Sequence, residues 1–226
     1  MTPDAAVGAG WTHAALVVVD MQNGFCHPEG SRAQLVGREA AAPTIELVER
    51  VVALIELVRR HGLPVWLTRQ EYWPDDQLTS RRRIGTGIDR AGGSLDVCRE
   101  QSWDAELVEE IERVRQPEDV VIVKHRSSAF YATPLEQQLR MRGIETLIVA
   151  GTTTSYCVES TVRDAHARDF DVIVAEDAVA DTEPDAQRAS LRAIERFHGL
   201  VCSLDELPDL LHASATVATV GRQAPD

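Results

Sequence analysis

Three residues of this 226-residue chain have the types needed to cleave a small acyl compound, and each closes or follows a short apolar run. Cys157 comes a few residues after Glu145-Thr-Leu-Ile-Val-Ala150, at or near the start of a helix. Unpaired backbone N–H groups and the positive end of the dipole favour a thiolate there, so the position suits a nucleophile. Asp20 ends Ala14-Ala-Leu-Val-Val-Val-Asp20 and offers a carboxylate to accept and return a proton. Lys124 ends Val120-Val-Ile-Val-Lys124 and offers an ammonium that favours the anionic forms of sulfur and carboxylate. Each also has an ordinary reading. Cysteine packs as a small apolar residue, and a charge at a strand end is commonly solvated or half of an ion pair. The combination is what points to a thiol hydrolase.

Positioning such residues requires a rigid scaffold, and the hydrophobic pattern supplies one. Continuous apolar runs at 14–20, 63–68, 120–124, 145–150 and 171–175, with a shorter one at 200–203, suit strands buried on both faces. Between them lie amphipathic stretches of helical period. Pro43 to Arg60 carries Ile45, Val48, Val52, Ile55 and Val58 on one face, with Pro43 in the first turn and Gly62 as the stop. Trp103 to Val114 follows the capping candidate Ser102, and Thr133-Pro-Leu-Glu136 has the form of a capping box for a helix ending near Gly143. Further helices are predicted from the 151–156 turn to Arg168 and from Pro184 to His198. Alternation of this kind predicts a parallel sheet in a three-layer α/β/α domain with right-handed crossovers. Ligands of such sheets bind beyond the carboxyl ends of the strands, where Asp20, Lys124 and Cys157 all fall. One domain is expected over residues 1–212, with 213–226 a loose tail. The long Gln70–Gln101 connection, rich in Gly and Arg, is expected to act as a lid or an oligomer contact, or to be disordered.

Composition removes several function classes. With 36 acidic against 23 basic side chains and a net charge of -13, the surface repels polyanions, so no nucleic-acid partner is expected. No run approaches the roughly 20 apolar residues of a membrane span, and the first residues lack the pattern of a signal peptide. A cytoplasmic location and no membrane partner are therefore expected. The four cysteines, Cys26, Cys98, Cys157 and Cys202, form no CxxC pair, so neither a disulfide scaffold nor a zinc knuckle is indicated. Cys26, Cys98 and Cys202 are read as packing residues.

Three blocks, Val17-Val-Val-Asp20-Met-Gln-Asn-Gly-Phe25, Lys124-His-Arg-Ser-Ser-Ala-Phe130 with Thr133-Pro-Leu135, and Ala150-Gly-Thr-Thr-Thr-Ser-Tyr-Cys157-Val-Glu-Ser-Thr161, resemble the signature blocks of the isochorismatase-like cysteine hydrolases. The similarity runs over roughly residues 14–205. It implies that Asp20, Lys124 and Cys157 form a catalytic triad. It also implies a cis peptide between Thr152 and Thr153, and an oxyanion hole made by the N–H groups of Thr153 and Cys157. The implied sheet is six parallel strands in the order 3-2-1-4-5-6, which sets strands one and four side by side and leaves the Lys124 strand at an edge. Topology alone does not say how that ammonium reaches the thiol.

The branch is read from residues. Relatives that hydrolyse the vinyl ether of isochorismate without a covalent intermediate lack the cysteine, so Cys157 favours amide cleavage with a thioester intermediate and ammonia release. Nicotinamidases carry Asp-x-His and a further His after strand two as a metal site. Here that segment is Thr68-Arg-Gln-Glu-Tyr-Trp-Pro-Asp-Asp76, with no histidine, so neither a metal nor a cofactor is expected. Arg83-Ile-Gly-Thr-Gly-Ile88 leading to Ser102-Trp-Asp104 resembles the N-carbamoyl branch, such as biuret hydrolase and N-carbamoylsarcosine amidohydrolase, and 124–164 also resembles ureidoacrylate amidohydrolases. Arg81, Arg82 and Arg83, together with His198 near the active face, are the candidates for substrate binding. Gly85-Thr-Gly-Ile-Asp-Arg90 follows no strand and is not a dinucleotide fingerprint. The expected partner is a small amide, and the expected assembly a homo-oligomer, dimer or tetramer. Rival readings are a vinyl ether hydrolase, a nicotinamidase, and a flavodoxin-like binding module with a redox-sensing Cys157.

Overall fold

The computed structural model describes residues 13–73 and 97–210. The expected tail and Arg81, Arg82 and Arg83 lie outside the described residues. Six strands, β1 (Ala14–Val19), β2 (Val65–Gln70), β3 (Val120–Lys124), β4 (Thr146–Thr152), β5 (Asp171–Ala180) and β6 (Leu200–Cys202), form one sheet in the order β3-β2-β1-β4-β5-β6. Every neighbouring pair is parallel. The helices among the described residues are α1 (Asn23–Cys26), α2 (Ser31–Val36), α3 (Arg38–Arg60), α4 (Glu109–Val114), α5 (Leu135–Met141), α6 (Glu159–His166) and α7 (Pro184–Phe197). None is long and apolar enough to cross a membrane.

The apolar runs become strands because both faces of the sheet are covered. Alternate residues of β1 go to opposite layers. Leu16 and Val18 pack with Leu47, Val51, Leu54 and Val58 of α3, while Ala15 and Val17 pack with Leu135, Leu139, Val162 and Ile194 of α5, α6 and α7. Strands β1 and β4 hold the centre, and their carboxyl ends open at the point where the strand order reverses.

Three elements differ from the sequence pattern. Helix α3 starts at Arg38, not at Pro43. The Thr44 hydroxyl lies 2.8 Å from the Phe25 carbonyl of α1 and 2.9 Å from the Ala41 carbonyl in the added turn. The stretch predicted as one helix from Trp103 splits into a 3-10 turn, Trp103–Ala105, and α4. Between them backbone groups bond to the segment from β1 into α1 instead: Glu106 O accepts the Asn23 N–H at 2.9 Å, and Val108 N–H donates to Met21 O at 3.0 Å. Ser102 turns its hydroxyl to the Arg99 carbonyl and does not cap. Strand β5 continues five residues past its apolar run, through Glu176 and Asp177, because its register to β4 shifts between Val149 and Gly151 and pairing resumes at Val179 and Ala180. In the proposed capping box, Thr133 Oγ1 does accept the Leu135 N–H at 3.3 Å, but Glu136 pairs with Arg168 rather than turning back.

Candidate active site

The site is assembled where β1, β2, β3 and β4 end. Asp20 follows β1 at φ 53, in the left-handed region that few side chains other than Asn and Asp adopt readily. Its N–H still donates to the Thr68 carbonyl of β2 at 3.2 Å, so the strand ends by turning its last side chain rather than by fraying. The Thr68 hydroxyl donates to Asp20 Oδ1 at 2.7 Å. Beside it, Gly151 has φ 111, and a Cβ at this position would lie 2.1 Å from the Val19 carbonyl. Only glycine lets β4 approach β1 this closely just before the turn that carries the thiol.

Lys124 ends an edge strand, yet its ammonium lies at the centre. Lys124 is in register with Gln70 on β2, and its four-carbon stem carries Nζ across that strand to Asp20 Oδ2, 2.7 Å away. Nζ is also 3.4 Å from Cys157 Sγ, 3.0 Å from Gln70 Oε1 and 3.2 Å from the Arg126 carbonyl. Asp20 and Lys124 are both 0% exposed and Cys157 is 5% exposed. Further hydrogen bonds support this buried ion pair, from Thr68 to Oδ1 and from Nζ to Gln70 and the Arg126 carbonyl.

Cys157 sits in a single wide turn, Thr154–Val158, in which the Val158 N–H reaches back to the Thr153 carbonyl at 3.2 Å before α6 begins. The Thr152–Thr153 peptide is cis. Two side chains missed by the sequence reading fix this turn. Buried Asp181, just past β5, accepts the Ser155 N–H at 2.9 Å and the Ser155 hydroxyl at 2.6 Å. Thr161 donates to the Cys157 carbonyl at 2.7 Å and accepts the Ala129 N–H at 3.0 Å, tying the turn to the segment after Lys124.

The electrostatics revise one expectation. A helix start was expected to favour a resting thiolate, but burial pushes the Cys157 thiol up to about 12, with Lys124 opposing the rise and Asp20 adding to it. The thiol therefore keeps its proton at neutral pH. Burial alone would depress Lys124, but the Asp20 carboxylate and the Cys157 sulfur outweigh it and hold the ammonium above its ordinary value. Asp20 Oδ2 faces Nζ, and the Asp20 carboxylate is also within hydrogen-bonding reach of the Cys157 thiol, where a proton could pass between them. Chemically, a buried thiol, a carboxylate and a fixed cation brought together in this way can supply a nucleophile, a base and a counter-charge.

His198 is not brought into this group. Helix α7 starts beyond the carboxyl end of β5 and runs back along the sheet for 14 residues, about 21 Å. His198 therefore lies at the opposite edge of the sheet, with its ring 5.4 Å from that of His166. Among the described residues after β2, 71–73, and Gln70 at its end, the side chains make other contacts. The Gln70 carboxamide is engaged by Lys124, Glu71 pairs with Arg69, and the next position is the phenol Tyr72. His125 Nδ1 lies 2.8 Å from the Glu71 carbonyl, and its ring stacks on Trp73 at 4.0 Å. No three His, Cys, Asp or Glu side chains converge among the described residues.

The buried thiols make a prediction for stability. Burial also raises Cys26 and Cys98 well above the ordinary thiol value, each with Asp20 contributing. Above about pH 8.5 an unfolded thiol loses its proton while these keep theirs, so the unfolded state binds fewer protons and stability falls as pH rises. The stabilisation carried by Lys124 is complete below its unfolded value and is also lost on the alkaline side. The unfolding free energy measured with urea is expected to fall between pH 8 and pH 10, by about 1.4 kcal/mol per pH unit for each thiol fully in this range, and the urea midpoint with it. A Cys26→Ala, Cys98→Ala double variant should show a smaller fall, and a midpoint independent of pH would contradict the assignment.

Comparison with known proteins identifies the family and similar structures. The Isochorismatase domain family matches residues 14–206. A cysteine hydrolase from Pseudomonas syringae pv. phaseolicola is similar at 28% identity and a TM-score of 0.74, covering 95% of this chain and 99% of that one. An isochorismatase family protein from Desulfovibrio vulgaris has 27% identity and a TM-score of 0.74, covering 88% and 98%. An N-carbamoylsarcosine amidase from Thermoplasma acidophilum has 32% identity and a TM-score of 0.65, covering 84% and 95%. With the match spanning most of its length and all six strands, the chain belongs to the isochorismatase domain family and is a hydrolase, not a binding module on a similar sheet.

Proposed function

We propose that this hydrolase is a metal-independent cysteine amidohydrolase that cleaves a small amide, with N-carbamoyl compounds preferred. The observation that carries the reading is the Lys124 ammonium, 2.7 Å from Asp20 and 3.4 Å from Cys157 inside a water-excluded strand end. As Sγ attacks the carbonyl carbon, the thiol proton passes to Asp20 Oδ2, and the backbone N–H groups of Thr153 and Cys157 hold the oxyanion. Protonated Asp20 then gives its proton to the departing nitrogen, the C–N bond breaks, and ammonia leaves a thioester on Cys157. Asp20, again a carboxylate, takes a proton from water. The resulting hydroxide attacks the thioester, and the acid is released as the thiol is restored. For an N-carbamoyl substrate the released acid is a carbamic acid. Throughout, Lys124 offsets whichever of carboxylate and sulfur is negative.

The preference for N-carbamoyl compounds is supported by the similarity to the Thermoplasma acidophilum amidase and by the donor set after β2, which lacks histidine. Ammonia release should be compared across ureido acids, simple carboxamides and nicotinamide, each before and after exhaustive chelation. Ureido acids are expected to exceed nicotinamide by at least tenfold in kcat/KM, with no change on chelation. Neutralising whichever of Arg81, Arg82 and Arg83 anchors the acid end should raise KM more than it lowers kcat. Faster release from nicotinamide, or activity lost on chelation and restored by zinc, iron or manganese, would overturn this branch assignment.

A further inference from the structure

The Lys124 ammonium has three N–H donors but four acceptors within 3.4 Å: Asp20 Oδ2, Gln70 Oε1, the Arg126 carbonyl and Cys157 Sγ. Two of these are neutral oxygens that stay the same throughout any reaction. The other two, carboxylate and sulfur, exchange a proton and so exchange their demand for the cation. If Gln70 and Arg126 each occupy one donor, a single N–H remains to serve Asp20 before the transfer and the thiolate after it.

Gln70 is built to be such an anchor. It is 2% exposed, and its amide orientation is dictated by its partners: an ammonium only donates, so Oε1 must face Nζ while Nε2 turns to the Glu71 carbonyl at 3.4 Å. Its main chain is held by a side chain rather than by a strand. Strand β1 ends at Val19, and the turn at Asp20 takes the backbone away from the end of β2. The Gln22 side chain fills the gap: its Oε1 accepts the Gln70 N–H at 2.7 Å, and its Nε2 donates to the Gln70 carbonyl at 3.0 Å and to the Ala105 carbonyl at 2.8 Å. A fully buried side-chain amide thus supplies the ladder bonds that β1 no longer makes.

We propose that Gln70 is a positioning residue of this site: it fixes the Lys124 ammonium through two neutral acceptors, itself and the Arg126 carbonyl, so that one N–H can switch between Asp20 and Cys157. The inference rests on the amidohydrolase reading for its effect on turnover, but the state of Cys157 can be read without any substrate. Two near-isosteric variants separate the possibilities. Gln70→Met removes the acceptor at similar length, and Gln70→Glu keeps an acceptor but adds a charge that competes with sulfur for the cation. The second-order rate constant for iodoacetamide modification of Cys157, followed by peptide mass from pH 6 to pH 10, should be displaced to the alkaline side by at least one pH unit in Gln70→Glu and be at least fivefold lower at pH 8 in Gln70→Met. In both variants kcat should fall at least thirtyfold with KM within threefold. Wild-type modification profiles in both folded variants would overturn the proposal even if kcat fell, because a merely structural role would give that pattern. If the wild-type protein released no ammonia from any amide, the amidohydrolase reading would fail while the modification profiles still decided the role of Gln70.

Discussion

Cys157→Ala is expected to lose at least 10,000-fold in kcat while unfolding at a temperature within a few degrees of wild type. The loss follows because the thioester route has no other nucleophile: the remaining cysteines are buried elsewhere, with Cys26 Sγ against Met21 Sδ and Cys98 Sγ against the Asp104 carbonyl. The small stability change follows because removing the sulfur leaves the Asp20–Lys124 pair, the Gln70 contact and the Arg126 contact in place. Ammonia release and thermal unfolding measured on one preparation check both halves. A folded variant with near wild-type turnover would end the covalent mechanism.

The second large effect concerns the ion pair. Lys124→Met and Asp20→Asn each leave a fully buried charge without its partner, which costs about 3–5 kcal/mol of stability, whereas the double variant removes both charges and should recover much of the loss. Activity should not recover: each single variant and the double are expected to lose at least a thousandfold in kcat, and adding either to Cys157→Ala should cost little more. The two single variants should differ at the thiol. Asp20 helps to hold the Cys157 proton and Lys124 opposes it, so Asp20→Asn should modify faster with iodoacetamide than wild type and Lys124→Met more slowly. Losses that simply multiply, or a thiol equally reactive in both variants, would show that the residues do not share one step. Urea unfolding and modification rates across the set provide the test.

What the sequence revealed of this site was the three strand ends, because each reactive residue closes or follows an apolar run and a parallel sheet gathers such ends on one edge. The parts it concealed are those set by long-range register. That Lys124 crosses β2 depends on its pairing with Gln70, which no local pattern encodes. The state of the thiol depended on burial, which outweighed the helix-start argument once Cys157 was enclosed. The supporting side chains left a faint signal: Thr68 and Gln70 are polar residues two apart at the end of β2, hence on one face, and they bond to Asp20 and Lys124. Gln22 and Asp181 left none, since a lone amide or carboxylate beside a turn reads as solvated. His198 was misplaced for a legible reason. A helix following a parallel strand runs back along it, so its last residue belongs to the opposite edge from the strand ends. The split of the Trp103–Val114 helix was not legible, because the backbone of 106–108 bonds to a segment more than eighty residues earlier.

The central claim is that the substrate's acyl group passes through a covalent bond to Cys157. A slowly hydrolysed N-carbamoyl substrate, mixed with excess enzyme and quenched in acid within one turnover, should leave a mass increase equal to the substrate minus ammonia. Digestion should map that mass to the peptide containing Cys157, and the adduct should be absent from Cys157→Ala. Full single-turnover ammonia release with no adduct at any time, or an adduct mapping to another residue, would contradict it.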